Sequence, residues 1–174
     1  MQIPSKARAV IIGGGVIGCS IAYHLGKLGW KDVVLLERKK LTCGTTWHAA
    51  GLIAQLRATQ NMTRLAKYSQ ELYFGLEAET GVATGFKRNG SITVALTDER
   101  MEELRRSAAM ARAFGVEIDE ITPGDIAGRY PGLATGDVVG GVWLPKDGQG
   151  DRVHVTQALA AGACTLGAAI PQCV

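Results

Sequence analysis

Apolar positions near the start of the chain fall into distinct rhythms. Ala9 to Ile12 is an unbroken apolar run, as a strand buried on both faces requires. Val16 to Leu28 spaces its apolar residues as an amphipathic helix does, and Val33 to Leu36 is a second apolar run that ends in an acid, Glu37. Strand, tight turn, helix and strand is the βαβ order of a parallel sheet. A loop rich in Gly, Thr and Ala follows from Arg38 to Gly51. From about Thr59 to Thr80, Leu65, Tyr68, Leu72 and Leu76 recur at helical spacings, and Gly81 supplies a stop.

Further along, Phe86 to Leu96 flanks an Asn89-Gly90 pair and predicts a β-hairpin. Thr97 or Asp98 caps a charged helix running to about Phe114 and closed by Gly115. Val116 to Ile118 reads as a strand, Thr122 to Tyr130 as a short helix, and Val138 to Leu144 as another strand. Asp147 to Gly150 makes a turn, and Asp151 caps a helix from Val153 to about Leu166. Ala168 to Val174 begins a strand. A parallel sheet needs neighbours and helices on both faces, and only two or three of its strands are visible. The chain is therefore expected to be the front part of a larger protein.

The turn between the first strand and its helix carries the first chemical signal. Gly13, Gly15 and Gly18 fit G-x-G-x-x-G, placed where a dinucleotide fold puts it. Gly13 permits the tight turn, Gly15 lets the backbone approach a pyrophosphate, and Gly18 lets the helix pack close to the sheet. The helix N-terminus adds N–H groups and a positive dipole end. Glu37 lies 19 residues after Gly18, near the spacing of about 20 expected for an acid that accepts hydrogen bonds from a ribose. Its charge selects against a 2′-phosphate, hence against NADP.

Composition narrows the class. The 174 residues carry a net charge of +3 and are 47% hydrophobic. No apolar run approaches the roughly 18 residues of a membrane span. Arg38-Lys39-Lys40 is the densest basic run, too short to point to nucleic acid. Four cysteines, Cys19, Cys43, Cys164 and Cys173, lie far apart without a C-x-x-C, which argues against a zinc site or a disulfide framework. The first strand starts within ten residues of Met1, so no signal or transit peptide is expected. The expected location is cytoplasmic, in a bacterial cytosol.

The segment Thr42 to Leu52, T-C-G-T-T-W-H-A-A-G-L, carries the second signal. With the dinucleotide fold it resembles the FAD-dependent amine oxidoreductases of the dimethylglycine dehydrogenase and sarcosine dehydrogenase group, within the D-amino-acid-oxidase-like superfamily. Gly85-Phe86 with Gly90-Ser91-Ile92, then Thr97 to Arg105, resembles that family's first excursion into its substrate domain. Gly140 to Trp143 and Pro145 to Gly148, then Asp151 and Thr156, resemble the return. Arg152 departs from the pattern, which often has proline at that first helical position.

The resemblance implies an α/β fold: a Rossmann-like FAD-binding domain, incomplete, with the first part of an α+β substrate domain inserted. Residues 1–84 would be the first part of the FAD domain, 85–149 the partial substrate domain, and 150–174 the return. It also implies that His48 is joined covalently to a methyl carbon of the flavin. The chemistry asks for a neutral imidazole, which a histidine of ordinary pKa near about 6.5 supplies at cellular pH. Ala49, Ala50, Gly51 and Leu52 would lie close to the isoalloxazine. Thr45 and Thr46 would offer hydroxyls and N–H groups to the pyrophosphate and ribityl chain. Arg38, following the ribose acid, is read either as stacking on adenine or as a solvated arginine at the strand end.

The implied reaction is oxidative demethylation of a small N-methylated glycine, dimethylglycine or sarcosine, by hydride transfer to FAD. Oxygen or an electron-transfer flavoprotein would reoxidise the flavin, and a C-terminal domain would bind tetrahydrofolate. Residues that touch the substrate are expected beyond Val174, so the 174 residues alone are expected to be inactive. Two alternatives stay open: a free-FAD amino-acid oxidase or dehydrogenase of the same superfamily, and a non-catalytic relative such as the regulatory subunit of pyruvate dehydrogenase phosphatase.

Overall fold

The computed structural model describes residues 4–173. Its elements are β1 (Ala9–Ile12), α1 (Val16–Lys27), β2 (Val33–Leu36), a 3₁₀ turn (Thr46–His48), β3 (Leu52–Ile53), α2 (Gln60–Thr80), β4 (Ser91–Ala95), α3 (Asp98–Ala113), β5 (Asp119–Ile121), α4 (Pro123–Arg129), β6 (Gly140–Leu144), β7 (Gly148–Gln149) and α5 (Arg152–Thr165). They form two units. The first gathers the chain up to Leu52, Glu71–Phe86 and the chain from Gly150 onward; the second gathers Ile53–Gln70 and Lys87–Gln149.

In the first unit β1 and β2 pair in parallel, from Ala9 opposite Val33 to Ile12 opposite Leu36, with α1 as the crossover. The core sets Tyr23 and Ala22 of α1 and Val33 and Leu35 of β2 against Val155, Ala158, Leu159 and Ala163 of α5 and Leu76 of α2. Small residues on α5 let α1 come close, while the Tyr23 hydroxyl donates to Glu79 at 2.8 Å and Lys27 pairs with the same carboxylate at 2.9 Å. Asp151 caps α5 by accepting from the N–H groups of Val153 and His154, at 2.8 and 3.0 Å. The segment expected to become a strand from Ala168 makes two isolated parallel bridges, Val34 to Ala169 and Glu37 to Gln172. Pro171 has no N–H to donate and Cys173 has a φ of 62°, which breaks a regular ladder. Val174, the end of that expected strand, lies outside the described residues.

The second unit is built on an antiparallel sheet in the order β4-β6-β5. Period-two alternation divides its side chains. Ala95, Val142 and Leu144 pack with Met101, Leu104, Ala108 and Ala111 of α3. Ile92, Val94 and Trp143 pack with Ile126, Val138 and Leu133. Thr97, rather than Asp98, caps α3 by accepting from the Arg100 N–H. Thr122 and Asp125 make a reciprocal capping box around Pro123 at the start of α4.

Two expectations fail here. The Asn89-Gly90 hairpin does not form, because β4 pairs with β6, from Ser91 opposite Leu144 to Ala95 opposite Gly140. A two-residue turn of that type needs positive φ at both central residues, and of the pair only Gly90 has it, at 73°. The Trp143 indole occupies the space above Gly90, where a Cβ would come within 1.8 Å of it. The strand expected at Val116 to Ile118 lies at Asp119–Ile121 instead. The Val116 N–H is committed to the Ala111 carbonyl at the end of α3, so the ladder starts later. Among the described residues, no helix is long and apolar enough to cross a membrane.

Candidate functional site

The site grows from the turn between β1 and α1. Gly13 leaves the strand at a φ of 107°, which other residues rarely adopt, and its N–H donates to the Leu36 carbonyl at 2.8 Å. A Cβ on Gly18 would come 2.0 Å from the Gly13 carbonyl oxygen, so the helix reaches the turn only as glycine. Gly15 stands at the N-cap of α1 with no side chain to cap it. The helix end thus presents main-chain N–H groups and its positive dipole end to the space beside the turn. The Val16 N–H donates to Thr46 Oγ1 at 3.0 Å, which ties the 3₁₀ turn to this helix end.

Glu37 closes the other side. It is buried, and its carboxylate accepts from the Gly14 N–H at 2.7 Å, the Lys39 N–H at 2.8 Å and the Cys43 thiol at 3.8 Å. The Gly14 N–H first, then that of Lys39, hold its carboxyl below the ordinary glutamate range. Lys39 and Cys43 share Oε1, so it is Oε2, bonded to Gly14 alone, that keeps a further lone-pair direction for an incoming hydroxyl. Gly14 was not among the residues expected from sequence; the run of three glycines was its signal. A Cβ there would meet Leu41 at 2.4 Å and Glu37 at 3.0 Å, so the middle glycine keeps the donor and the acid in contact.

A cleft of about 520 Å³ joins these parts, within the range of small-molecule and cofactor sites. It is lined by Gly13, Gly15, Gly18, Glu37, Thr45, Thr46 and Ala49, with Ile11, Ile12, Ile17 and Ile21 as apolar wall. Arg38, His48, Ala50, Gly51 and Leu52 do not line it. Arg38 and His48 are exposed. The His48 ring lies 4.0 Å from that of Trp47, centroid to centroid, tilted by 37°. The Gly51 carbonyl accepts from the Gly150 N–H at 2.9 Å. A second contact to the same loop escaped the sequence reading: Arg152 Nε donates to the Trp47 carbonyl at 2.8 Å. Such an arrangement binds rather than reacts. It offers main-chain donors and a helix dipole for a pyrophosphate and an ionised acid for a ribose, so an adenine dinucleotide fits its donor set.

A family model described as FAD dependent oxidoreductase matches residues 8–172. The chain belongs to that family. It is 43% identical over 167 residues to dimethylglycine dehydrogenase of Homo sapiens, covering 96% of this chain and 19% of the relative. It is 39% identical over 169 residues to sarcosine dehydrogenase of Homo sapiens, covering 97% and 18%. It is also 39% identical over 170 residues to the pyruvate dehydrogenase phosphatase regulatory subunit of Mus musculus, covering 98% and 19%. Among solved structures, L-proline dehydrogenase from P. horikoshii superposes with a TM-score of 0.91 at 30% identity, over 98% of this chain and 45% of that one. The fold is thus the α/β FAD-binding fold of the family, and the chain spans about a fifth of the length of these curated relatives.

Proposed function

We propose that this chain is the FAD-binding front part of an amine dehydrogenase or oxidase that demethylates small N-methylated glycines. The observation that carries the reading is the junction of two motifs: Thr46 of the T-T-W-H segment accepts the first N–H of the helix that the glycine turn opens. In this reading Gly13 to Gly18 and the start of α1 hold the pyrophosphate, and Glu37 holds the adenosine ribose. Arg38 borders the adenine, Thr45 and Thr46 face the ribityl chain, and Ala49 to Leu52 border the ring. His48 is the point of covalent attachment. When bound, FAD supplies the two-electron acceptor for an N-methyl C–H bond. The chain's own residues supply the cradle, the fixed negative charge at the ribose and the attaching imidazole. Substrate-touching residues, a folate-binding domain and the site for oxygen or an electron-transfer flavoprotein belong to the longer product in this reading. So does the activity itself.

The test is acid precipitation of the full-length product grown with riboflavin. The flavin is expected to stay in the pellet, and to move to the supernatant in His48→Ala. Flavin released by acid from the parent protein favours the free-FAD alternative. Dimethylglycine or sarcosine should bleach the flavin and yield formaldehyde. The 39% identity to a regulatory subunit keeps a non-catalytic reading in view; flavin bound tightly but not bleached by any methylated glycine would favour it.

A further inference from the structure

Arg152 stands at the first helical position of α5, just after its cap Asp151. Proline favours that position because it donates no N–H there and its φ is preset. An arginine gains the helix nothing comparable, yet this one reaches across 105 residues of sequence to the loop that carries His48. In the 3₁₀ turn, the carbonyls of Thr45 and Thr46 accept from the N–H groups of His48 and Ala49, at 3.1 and 3.2 Å. The next carbonyl, that of Trp47, receives Arg152 Nε at 2.8 Å. That carbonyl belongs to the peptide joining Trp47 to His48, so holding its plane fixes the N–Cα bond from which the His48 side chain departs. The loop is pinned on either side as well, by Thr46 Oγ1 on the Val16 N–H and by the Gly51 carbonyl on the Gly150 N–H. Of these ties to residues outside the loop, the Arg152 bond is the one on the peptide that includes the His48 nitrogen.

We infer that Arg152 is a positioning residue for flavin attachment: it fixes the Trp47–His48 peptide so that the imidazole is held in its bonding direction. The inference rests on His48 as the attachment point. Attachment exchanges a C–H bond of the flavin ring methyl for a C–N bond to the imidazole. The two electrons and two protons released pass to the ring and then to dioxygen, giving hydrogen peroxide. Nothing in that balance requires Arg152 chemically; its part is the geometry of the nucleophile.

The experiment follows acid-stable flavin against time after FAD is added to full-length apoprotein from riboflavin-starved cells. Arg152→Pro keeps a favourable helix start and removes the donor. It should slow attachment about tenfold, as loss of one hydrogen bond from a charged donor would. Fluorescence quenching by FAD at early times should show unchanged binding. Arg152→Lys, which keeps a charged donor on the same helix, should recover part of the rate. Attachment by Arg152→Pro at the parent rate overturns the inference. So does a fall in FAD affinity that accounts for the slower attachment in both variants, since that is a structural role only. His48→Ala separates the two readings. If it loses acid-stable flavin while Arg152→Pro attaches normally, His48 stands and Arg152 falls. If it keeps acid-stable flavin, or the parent has none, both fall.

Discussion

Glu37 ends β2 with both carboxylate oxygens engaged by main-chain N–H groups, so its charge is committed before any ligand arrives. The anion satisfies two donors that no amide can satisfy equally, because a glutamine would turn its NH₂ toward one of them. Glu37→Gln in the full-length product should therefore lower stability to denaturant by roughly 1–3 kcal/mol at neutral pH. The pH dependence has a definite sign. The folded carboxyl titrates below its ordinary value of 4.5. Its contribution is thus fully present above that value and lost as pH falls through the folded one. The gap between parent and variant should narrow as the pH drops below 4.5. A gap that stays constant from neutrality into acid would show that the charge contributes nothing.

Asp147 plays the matching part among the elements of the second unit. It is buried, and its carboxylate accepts from the Gln55 N–H at 2.8 Å and the Ser91 hydroxyl at 2.7 Å, while its carbonyl receives the Gly90 N–H at 2.8 Å. One residue thus joins the start of β4, the corner after β6 and the chain around Gln55. Asp147→Ala strands a buried main-chain donor and should cost about 2–3 kcal/mol. Asp147→Asn keeps an acceptor for Gln55 and should cost clearly less. Equal urea midpoints for the two variants would refute this. The contrast with the expected hairpin is instructive. Asn89-Gly90 correctly signals a turn, but a turn does not name its partner, and the strand that pairs with β4 is β6, far along the chain. Local signals are legible: β1 and β2 fall at the expected residues, and Thr97 and Asp151 cap their helices as expected, while Thr122, expected to begin a helix, is its cap. At the site, the glycines, Glu37 and the threonines of the loop were legible because each belongs to a local motif. Gly14 was masked by its neighbours in the same run. Arg152 was visible only as a departure at a helix start, since its contact depends on the tertiary fold.

The first unit leaves one side of its sheet open. Among the described residues β1 pairs with β2 alone, and Ile12 is 87% exposed and Val10 56%. Ile17 and Ile21 of α1 are exposed beside them. A parallel strand with such side chains is built to be covered on both faces and paired on both edges. An open apolar edge is a template for association. The chain spans about a fifth of the curated relatives' length, and 45% of L-proline dehydrogenase already carries its whole fold. The 174 residues produced alone should therefore bind an anilinonaphthalene dye and self-associate at micromolar concentration. A product of the relatives' length, with further strands continuing past β1, should do neither. Adding a charge at the open edge, as in Ile12→Lys, should reduce association of the short chain. Size-exclusion chromatography of the three proteins decides it: a monomeric, dye-silent short chain would mean that the edge is protected by something other than a neighbouring strand.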